Sequence, residues 1–176
     1  RTHLIPHSAV AEPRLLQALA VVVLLTACAS APNFPAGANG EVVGHVDGDT
    51  LDVLFSVDGR AVVERIRLIG IDTPETKKPG TPIECYGPEA SRRLAELLPV
   101  GAFVDVVRDV ETRDDYDRLL AYVYRAEDRI FVNELLVREG FARTLFIPPN
   151  TGLEDEIRRA ERRARTERRG LWSACS

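Results

Sequence analysis

Three acidic clusters contain the side chains best suited to chemistry in this sequence of 176 residues. They are Asp47-Gly48-Asp49-Thr50, Asp72-Thr73-Pro74-Glu75 and Asp114-Asp115-Tyr116-Asp117-Arg118. Hard cations such as calcium and magnesium prefer oxygen ligands, whereas zinc and iron sites usually include histidine or cysteine. The carboxylates of the first two clusters therefore indicate a site for a hard cation.

Two arginines lie close to these carboxylates in apolar stretches. Arg67 lies in the run that ends at Asp72, and Arg118 precedes Leu119-Leu120-Ala121. An arginine is costly to bury unless an anion meets it, although an outward-pointing salt bridge would explain either residue singly. This combination of residues suits phosphodiester hydrolysis. A bound metal polarises a phosphoryl oxygen, the arginines bind the phosphate oxygens, and a carboxylate orients the attacking water.

Composition disfavours two other classes of protein. The formal net charge is −4, so a broad basic surface for nucleic acid is not expected, and any contact with phosphates must be local. After residue 27 the chain contains one histidine, His45, which we expect on a strand surface. A hydrolase that uses histidine as its base is therefore disfavoured.

The elements that must position these residues follow from alternating and helical patterns of apolar residues. Asp58-Gly59 predicts a tight hairpin, and the acidic residues stand at strand ends, where they can meet on one rim of a barrel. Five strands, with a helix between the third and fourth, favour an α+β fold: a five-stranded OB-type barrel with three helices. The predicted strands are Val42–Val46, Thr50–Val57, Ala61–Ile71, Phe103–Asp109 and Leu119–Arg125, and the predicted helices are Pro88–Leu98, Val132–Glu139 and Leu153–Arg169.

The N-terminal region is typical of an exported protein. Residues 15–27 form an uncharged apolar run that is too short to span a membrane, so residues 1–27 read as a signal peptide, whose true start could follow residue 9. Leu25-Thr26-Ala27-Cys28 resembles a bacterial lipobox, which predicts a lipid on Cys28, a tether over 28–40 and a domain over 41–176. The alternative is that Cys28 ends a buried helix. The two remaining cysteines, Cys85 and Cys175, suggest one disulfide in an exported protein.

Five motifs, in the same order along the chain, resemble those of the staphylococcal nuclease family. With its lipobox, the chain resembles a bacterial lipoprotein member of that family. The resemblance runs from about Val42 to Trp172. The motifs are Asp47-Gly48-Asp49-Thr50, Arg67 to Thr76, Tyr86 to Ser91, Tyr116 to Tyr122 and Val132 to Gly140.

The resemblance implies a calcium-dependent endonuclease that cleaves DNA and RNA on the 5′ side of the phosphate. It implies that Asp49, Asp72 and the carbonyl of Thr73 bind Ca²⁺, and that Glu75 holds the attacking water. It also implies that Arg67 and Arg118 bind the phosphate. Lys77, Tyr116 and Phe146 are the implied substrate contacts, with Phe146 standing for a tyrosine pair of the family.

Departures from the family pattern concern substrate binding. Asp115 replaces a lysine and Asp117 a glycine beside Tyr116. Two alternatives remain, namely a non-catalytic OB-fold module that binds nucleic acid and a lipoprotein that uses calcium only for rigidity. The expected partners are DNA and RNA, with the membrane reached through Cys28, and the expected state is a monomer outside the cytoplasm.

Overall fold

The computed structural model describes residues 32–77, 80 and 82–175. The signal segment and Cys28 lie outside these residues. No helix in the described ranges is both long and apolar enough to cross a membrane. The elements of the described chain are β1 Gly40–His45, β2 Thr50–Val57, β3 Arg60–Leu68, β4 Gly70–Asp72, α1 Gly87–Leu97, β5 Phe103–Val107, β6 Leu119–Arg125, α2 Val132–Arg138, β7 Arg143–Leu145, α3 Glu154–Thr166 and α4 Leu171–Ala174.

Five of the strands close into a barrel, as the sequence predicted, and their order in it is β1-β2-β3-β6-β5. The pairs are antiparallel except for β3 with β6, which run parallel. Asp58 and Gly59 both adopt positive φ angles, 49° and 76°, at the β2–β3 hairpin. Such angles at both central positions define the tight turn whose twist suits two antiparallel strands.

The third predicted strand is wrong as one element, because it divides at Ile69. β3 ends at Leu68, and Gly70 then turns the chain with a φ of 79° so that β4 pairs with β7 outside the barrel. A Cβ atom at Gly70 would lie 2.6 Å from Cε1 of Phe146, so glycine also permits the close approach of that ring. β7 and α4, of three and four residues, were too short to be predicted.

The core fills the barrel and the space between it and the helices. Alternate residues of the strands are buried, and α1 and α2 contribute fully buried leucines. Asn133 of α2 is also completely buried, and its side chain is hydrogen-bonded to the backbone of the barrel. The most buried side chains include Val42, Leu51, Val53, Ile66, Leu68, Leu94, Leu98, Val104, Ala121, Val123 and Leu136.

The described part of the predicted tether is packed against the barrel. The ring of Phe34 meets that of Phe103 edge-on with centroids 6.4 Å apart. The Asn39 side chain donates to the carbonyl of Val106 and accepts from its N–H, and β1 already includes Gly40. The described residues before position 41 therefore contact the barrel, and the domain boundary at residue 41 stays a prediction.

Candidate active site

A polar pocket of about 200 Å³ lies at the rim of the barrel where β2 begins and where β3 and β4 end. It contains the predicted metal ligands and catalytic residues. The lining residues are Asp47, Asp49, Arg67, Asp72, Thr73, Pro74, Glu75 and Arg118. Lys77, Tyr116 and Phe146 do not line it. Neither does His45, whose Nε2 lies 2.8 Å from the Leu98 carbonyl oxygen.

Strand register explains why residues distant in sequence meet here. Arg67 of β3 is paired with Thr50 of β2 on one side and with Leu120 of β6 on the other. Asp49 precedes Thr50, and Arg118 lies two residues before Leu120. The three charged residues are therefore brought to one rim by backbone pairing alone.

Asp49 is fixed in a largely buried position, with 6% of its surface exposed. Its Oδ2 accepts hydrogen bonds from the backbone N–H and the hydroxyl of Thr73, at 3.0 and 3.2 Å, and its Oδ1 accepts one from the Thr50 hydroxyl at 3.0 Å. A Cβ at Gly48 would lie 2.7 Å from Thr73 Oγ1, so glycine is required for this close packing. The β1–β2 turn and the segment after β4 thus form one rigid rim.

Arg67 links the two predicted metal-binding carboxylates. Its Nη2 lies 3.2 Å from Asp49 Oδ2 and 3.2 Å from Asp72 Oδ1. Its Nη1 donates to the carbonyl oxygens of Leu68 and Ile71, both at 2.8 Å, so the guanidinium is oriented by backbone. The pocket therefore holds the guanidinium of Arg67 in a fixed orientation against the carboxylates of Asp49 and Asp72.

The pocket concentrates negative charge around that arginine. Burial raises the pKa of Asp72, and Asp49 and Glu84 raise it further against the opposing effect of Arg67. Burial, and then the charge of Asp49, raises the pKa of Asp47. In both carboxyl groups, burial is the main cause of the raised pKa and neighbouring carboxylates add to it.

The donor atoms fit a hard cation with few protein ligands. Within the described ranges, no group of three or more histidine, cysteine, aspartate or glutamate side chains is placed to hold a metal ion. The pocket instead offers the carboxylates of Asp49 and Asp72, which approach a common nitrogen atom of Arg67. Oxygen donors of this kind suit calcium or magnesium, whose coordination is often completed by water or substrate.

Arg118 is held by Asp114, which the sequence places in the third acidic cluster but to which no role was assigned. Asp114 Oδ2 accepts from Arg118 Nε at 2.7 Å and lies 2.6 Å from its Nη2, while Oδ1 accepts the backbone N–H groups of Tyr116 and Arg118. Burial works to raise the pKa of Asp114, but these hydrogen bonds outweigh it and lower the pKa. An Asp four residues before an Arg, in a polar turn, is the sequence signal that could have revealed this pair.

Glu75 and Tyr116 differ in how firmly they are placed. Oε1 of Glu75 accepts the backbone N–H groups of Thr76 and Lys77 at 2.8 and 2.7 Å, so the local backbone directs its carboxylate. The Tyr116 ring is 81% exposed, and its centroid lies 5.3 Å from Cζ of Arg118. Lys77 is exposed.

A second cavity, of about 270 Å³, adjoins the first and shares Arg67 and Arg118 with it. Its apolar wall includes Leu120, Leu145 and Ile147, and three carboxylates also line it. These carboxylates belong to Glu111, Asp114 and Asp115.

Phe146, the predicted stacking residue, is not among the residues that line either cavity. Its ring packs over Gly70 and lies 5.4 Å from Cζ of Arg158. Side chains alternate along an extended segment, so its neighbours Leu145 and Ile147 are the ones that line the second cavity. Counting this alternation from β7 would have identified them, but β7 was not predicted.

A closed OB barrel with a carboxylate and arginine pocket on its rim defines a class of protein suited to binding a phosphate beside a cation. Comparison with known protein families identifies one of them. Residues 65–174 match the family described as Staphylococcal nuclease homologue. The chain belongs to the staphylococcal nuclease family, which confirms the resemblance found in the sequence.

Three relatives are between 37% and 40% identical to this chain. The SPbeta prophage-derived endonuclease YokF of Bacillus subtilis (strain 168) is 40% identical over 129 residues, which are 73% of this chain and 42% of that protein. The thermonuclease of Staphylococcus hyicus is 37% identical over 133 residues, 76% of this chain and 75% of the relative. Endonuclease YncB of Bacillus subtilis (strain 168) is 39% identical over 129 residues, 73% of this chain and 58% of the relative. This chain thus spans less than two thirds of either Bacillus protein.

Proposed function

We propose that this chain is a calcium-dependent endonuclease that hydrolyses phosphodiester bonds of DNA and RNA. The observation that carries the proposal is the single pocket lined by Asp49, Asp72, Glu75, Arg67 and Arg118. Relatives named endonuclease and thermonuclease support the same chemistry. A non-catalytic module would have no need of a carboxylate and two arginines around one polar pocket.

Asp49, Asp72 and the Thr73 carbonyl would hold the calcium ion. The buried position of Asp49 and its hydrogen bonds to Thr73 keep these groups together at one rim. When bound, the ion would polarise a phosphoryl oxygen and offset the negative charge that approaches with the substrate. Calcium rather than another hard cation is supported by the resemblance to the family.

The arginines and Glu75 have complementary roles in the proposed reaction. Arg67 and Arg118 bind the non-bridging oxygens of the phosphate, because guanidinium groups match their planar arrangement and stabilise charge that grows in the transition state. Glu75 orients the attacking water and accepts its proton. The water oxygen forms a bond to phosphorus, and the phosphorus–oxygen bond on the 5′ side breaks. The departing 5′-oxygen takes up a proton from solvent, so the products are a 3′-phosphate and a 5′-hydroxyl.

Substrate binding involves the second cavity. Its apolar wall of Leu120, Leu145 and Ile147 can contact a nucleoside next to the phosphate held by the arginines. The exposed ring of Tyr116 and the amine of Lys77 are proposed as further contacts at the edge. Aliphatic side chains offer no ring for a base to stack on, so we expect weak discrimination among bases.

The proposal includes export of the protein, a lipid on Cys28 that anchors it to the membrane outside the cytoplasm, and a monomeric state. Export and the lipid anchor are supported by the apolar run of residues 15–27 and the Leu25-Thr26-Ala27-Cys28 motif. Mass spectrometry of the N-terminal peptide from the membrane fraction should show a diacylglyceryl group on Cys28. An unmodified Cys28 in the mature protein would contradict lipid anchoring without affecting the proposed chemistry.

Digestion of plasmid DNA and of RNA tests the enzymatic proposal. Activity is expected with calcium and should disappear in chelator. Glu75→Gln and Arg118→Lys should each lower kcat by about 100-fold or more, since both residues act in the transition state. Arg129→Lys is the matched control, because Arg129 pairs with Asp105 far from the pocket lining. Equal inactivity in calcium, magnesium and chelator, together with retained oligonucleotide binding, would support the non-catalytic module instead.

A further inference from the structure

Glu84 and Glu75 are joined by two reciprocal hydrogen bonds. The backbone N–H of Glu84 donates to the carbonyl oxygen of Glu75 at 2.9 Å. In return, the backbone N–H of Glu75 donates to Oε2 of Glu84 at 3.1 Å. The carboxylate of Glu75 is itself directed by the next two N–H groups of its own backbone, so whatever fixes the backbone at residue 75 also fixes this carboxylate.

The residue after Glu84 is covalently tied to the C-terminal end of the fold. Cys85 forms a disulfide with Cys175, 90 residues further along the chain. Cys175 directly follows α4, which is anchored by Leu171. That side chain is 1% exposed, and its N–H donates to the Gly140 carbonyl at 2.9 Å. The disulfide therefore connects the Glu84 region to a short helix that is anchored at Leu171.

Tyr86 and Gly87, which follow Cys85, pack against Phe141 and against the backbone of residues 74–75, respectively. The ring of Tyr86 stacks on that of Phe141 with centroids 5.3 Å apart. A Cβ at Gly87 would lie 2.9 Å from the Pro74 carbonyl oxygen and 3.2 Å from that of Glu75, so only glycine lets α1 begin this close to the pocket segment. Residues 84–87 thus form a support beneath Glu75.

We propose that Glu84 is a positioning residue for Glu75 and that the Cys85–Cys175 disulfide holds Glu84 in place. The inference rests on the proposed function, in which Glu75 handles the attacking water. Glu84 does not line the pocket, so it acts on the reaction through the backbone of Glu75. The disulfide then links the integrity of the C-terminal segment to catalysis.

Glu84→Ala removes the acceptor for the Glu75 N–H, whereas Glu84→Gln keeps an oxygen in that place. We expect Glu84→Ala to lower kcat about tenfold, because a small displacement of a group that orients a reactant is costly in rate. KM should stay within about twofold at saturating calcium, since neither arginine nor metal ligand is replaced. Glu84→Ala and Glu84→Gln remove the same negative charge, which acts on Asp72, so any change in the calcium concentration for half-maximal activity should be equal in the two variants. Glu84→Gln should restore most of the kcat. Glu127→Ala, which removes another exposed carboxylate remote from the pocket, should behave as wild type.

The disulfide is tested by Cys175→Ser and by reduction of the wild-type protein. Each should lower kcat as Glu84→Ala does, and the double variant Glu84→Ala/Cys175→Ser should lose little more than either single variant, because both changes act on the same contact. Amide hydrogen exchange of the peptide covering residues 73–77 should accelerate in Glu84→Ala and in Cys175→Ser, but not in Glu127→Ala.

Distinct results would overturn the inference or the proposed function. The inference is wrong if kcat and exchange at 73–77 are unchanged in Glu84→Ala, or if Glu84→Gln loses as much kcat as Glu84→Ala. An inactive wild-type protein would refute the proposed function instead. The exchange experiment would then still decide whether Glu84 and the disulfide order the Glu75 backbone.

Discussion

Replacing Asn133 tests how the helical layer holds the active-site rim. The Asn133 side chain, fully buried, accepts the Val123 N–H at 3.0 Å and donates to the carbonyls of Ile69 and Ala121 at 2.9 and 3.3 Å. Ala121 keeps a second partner, the Ile69 N–H, so Asn133→Ala removes the side-chain partner of two buried groups, the Val123 N–H and the Ile69 carbonyl. At about 1–3 kcal/mol for each, the free energy of unfolding should fall by about 2–6 kcal/mol.

Urea denaturation followed by the fluorescence of Trp172, the single tryptophan of the chain, measures this change. Small domains have a free energy of unfolding of about 5–15 kcal/mol, so the expected loss is a large part of the total. Asn133→Leu should cost at least as much, because it fills the space without offering a donor or acceptor. Glu134→Ala on the same helix is the control and should cost less than about 1 kcal/mol, since its partner Arg138 is 3.7 Å away. A loss below about 1 kcal/mol for both Asn133 variants would show that these hydrogen bonds contribute little to stability.

Four further outcomes follow from the same contacts. Gly48→Ala should weaken calcium binding and cost about 1–3 kcal/mol in denaturation experiments, because its methyl group would collide with Thr73. Loss of the Cys85–Cys175 bond should lower the free energy of unfolding by about 4–5 kcal/mol, given the 90-residue separation, as measured by denaturation with and without reductant. Because the pKa of Asp114 is lowered in the folded state, its contribution to stability is present at neutral pH and should be lost on acidification below about pH 4, so wild type and Asp114→Asn should converge there. Oligonucleotide binding should fall with salt at a logarithmic slope of about −2 if only the two pocket arginines meet phosphates.

Each of these has a control or a contrary result. Gly44→Ala should be nearly neutral, since its Cβ would come no closer than 3.6 Å to Asp52. Equal stability with and without reductant would contradict the stabilising role of the disulfide. A constant difference between wild type and Asp114→Asn from pH 7 to pH 2 would show that Asp114 does not titrate as described. A salt slope steeper than about −4 would reveal a wider basic surface than the charge distribution indicates.

The sequence predicted the barrel because each of its strands carries its own pattern. Alternation identified Thr50–Val57 and Leu119–Arg125 with the bounds that the structure shows. It failed at Ile69, where a continuous apolar run hides a change of direction imposed by Gly70 and by pairing with β7. Gly70 pairs with Leu145, about 75 residues further along the chain, and such a pairing produces no local sequence pattern. For this reason β4 and β7 could not be predicted from the sequence.

The residues of the site differ in whether their positions could be predicted from the sequence. Asp49, Arg67 and Asp72 lie at strand ends, so their meeting followed once the strands were known. Asp114 and Glu84 lie in irregular segments, and their roles depend on turn geometry and on a disulfide. Phe146 was assigned from the family pattern alone, whereas its actual direction depends on a strand that was not foreseen.

The two cavities share Arg67 and Arg118, and this sharing links the reaction to substrate binding. Both arginines already face carboxylates, Asp49 and Asp72 in one case and Asp114 in the other, so an incoming phosphate must compete for them. A cation bound by Asp49 and Asp72 would relieve that competition at Arg67, because it would take over the neutralisation of both carboxylates. The proposed cation would not neutralise Asp114, the partner of Arg118, because Asp114 lines the second cavity. We therefore expect the proposed cation to strengthen phosphate binding at Arg67 in addition to its proposed part in hydrolysis.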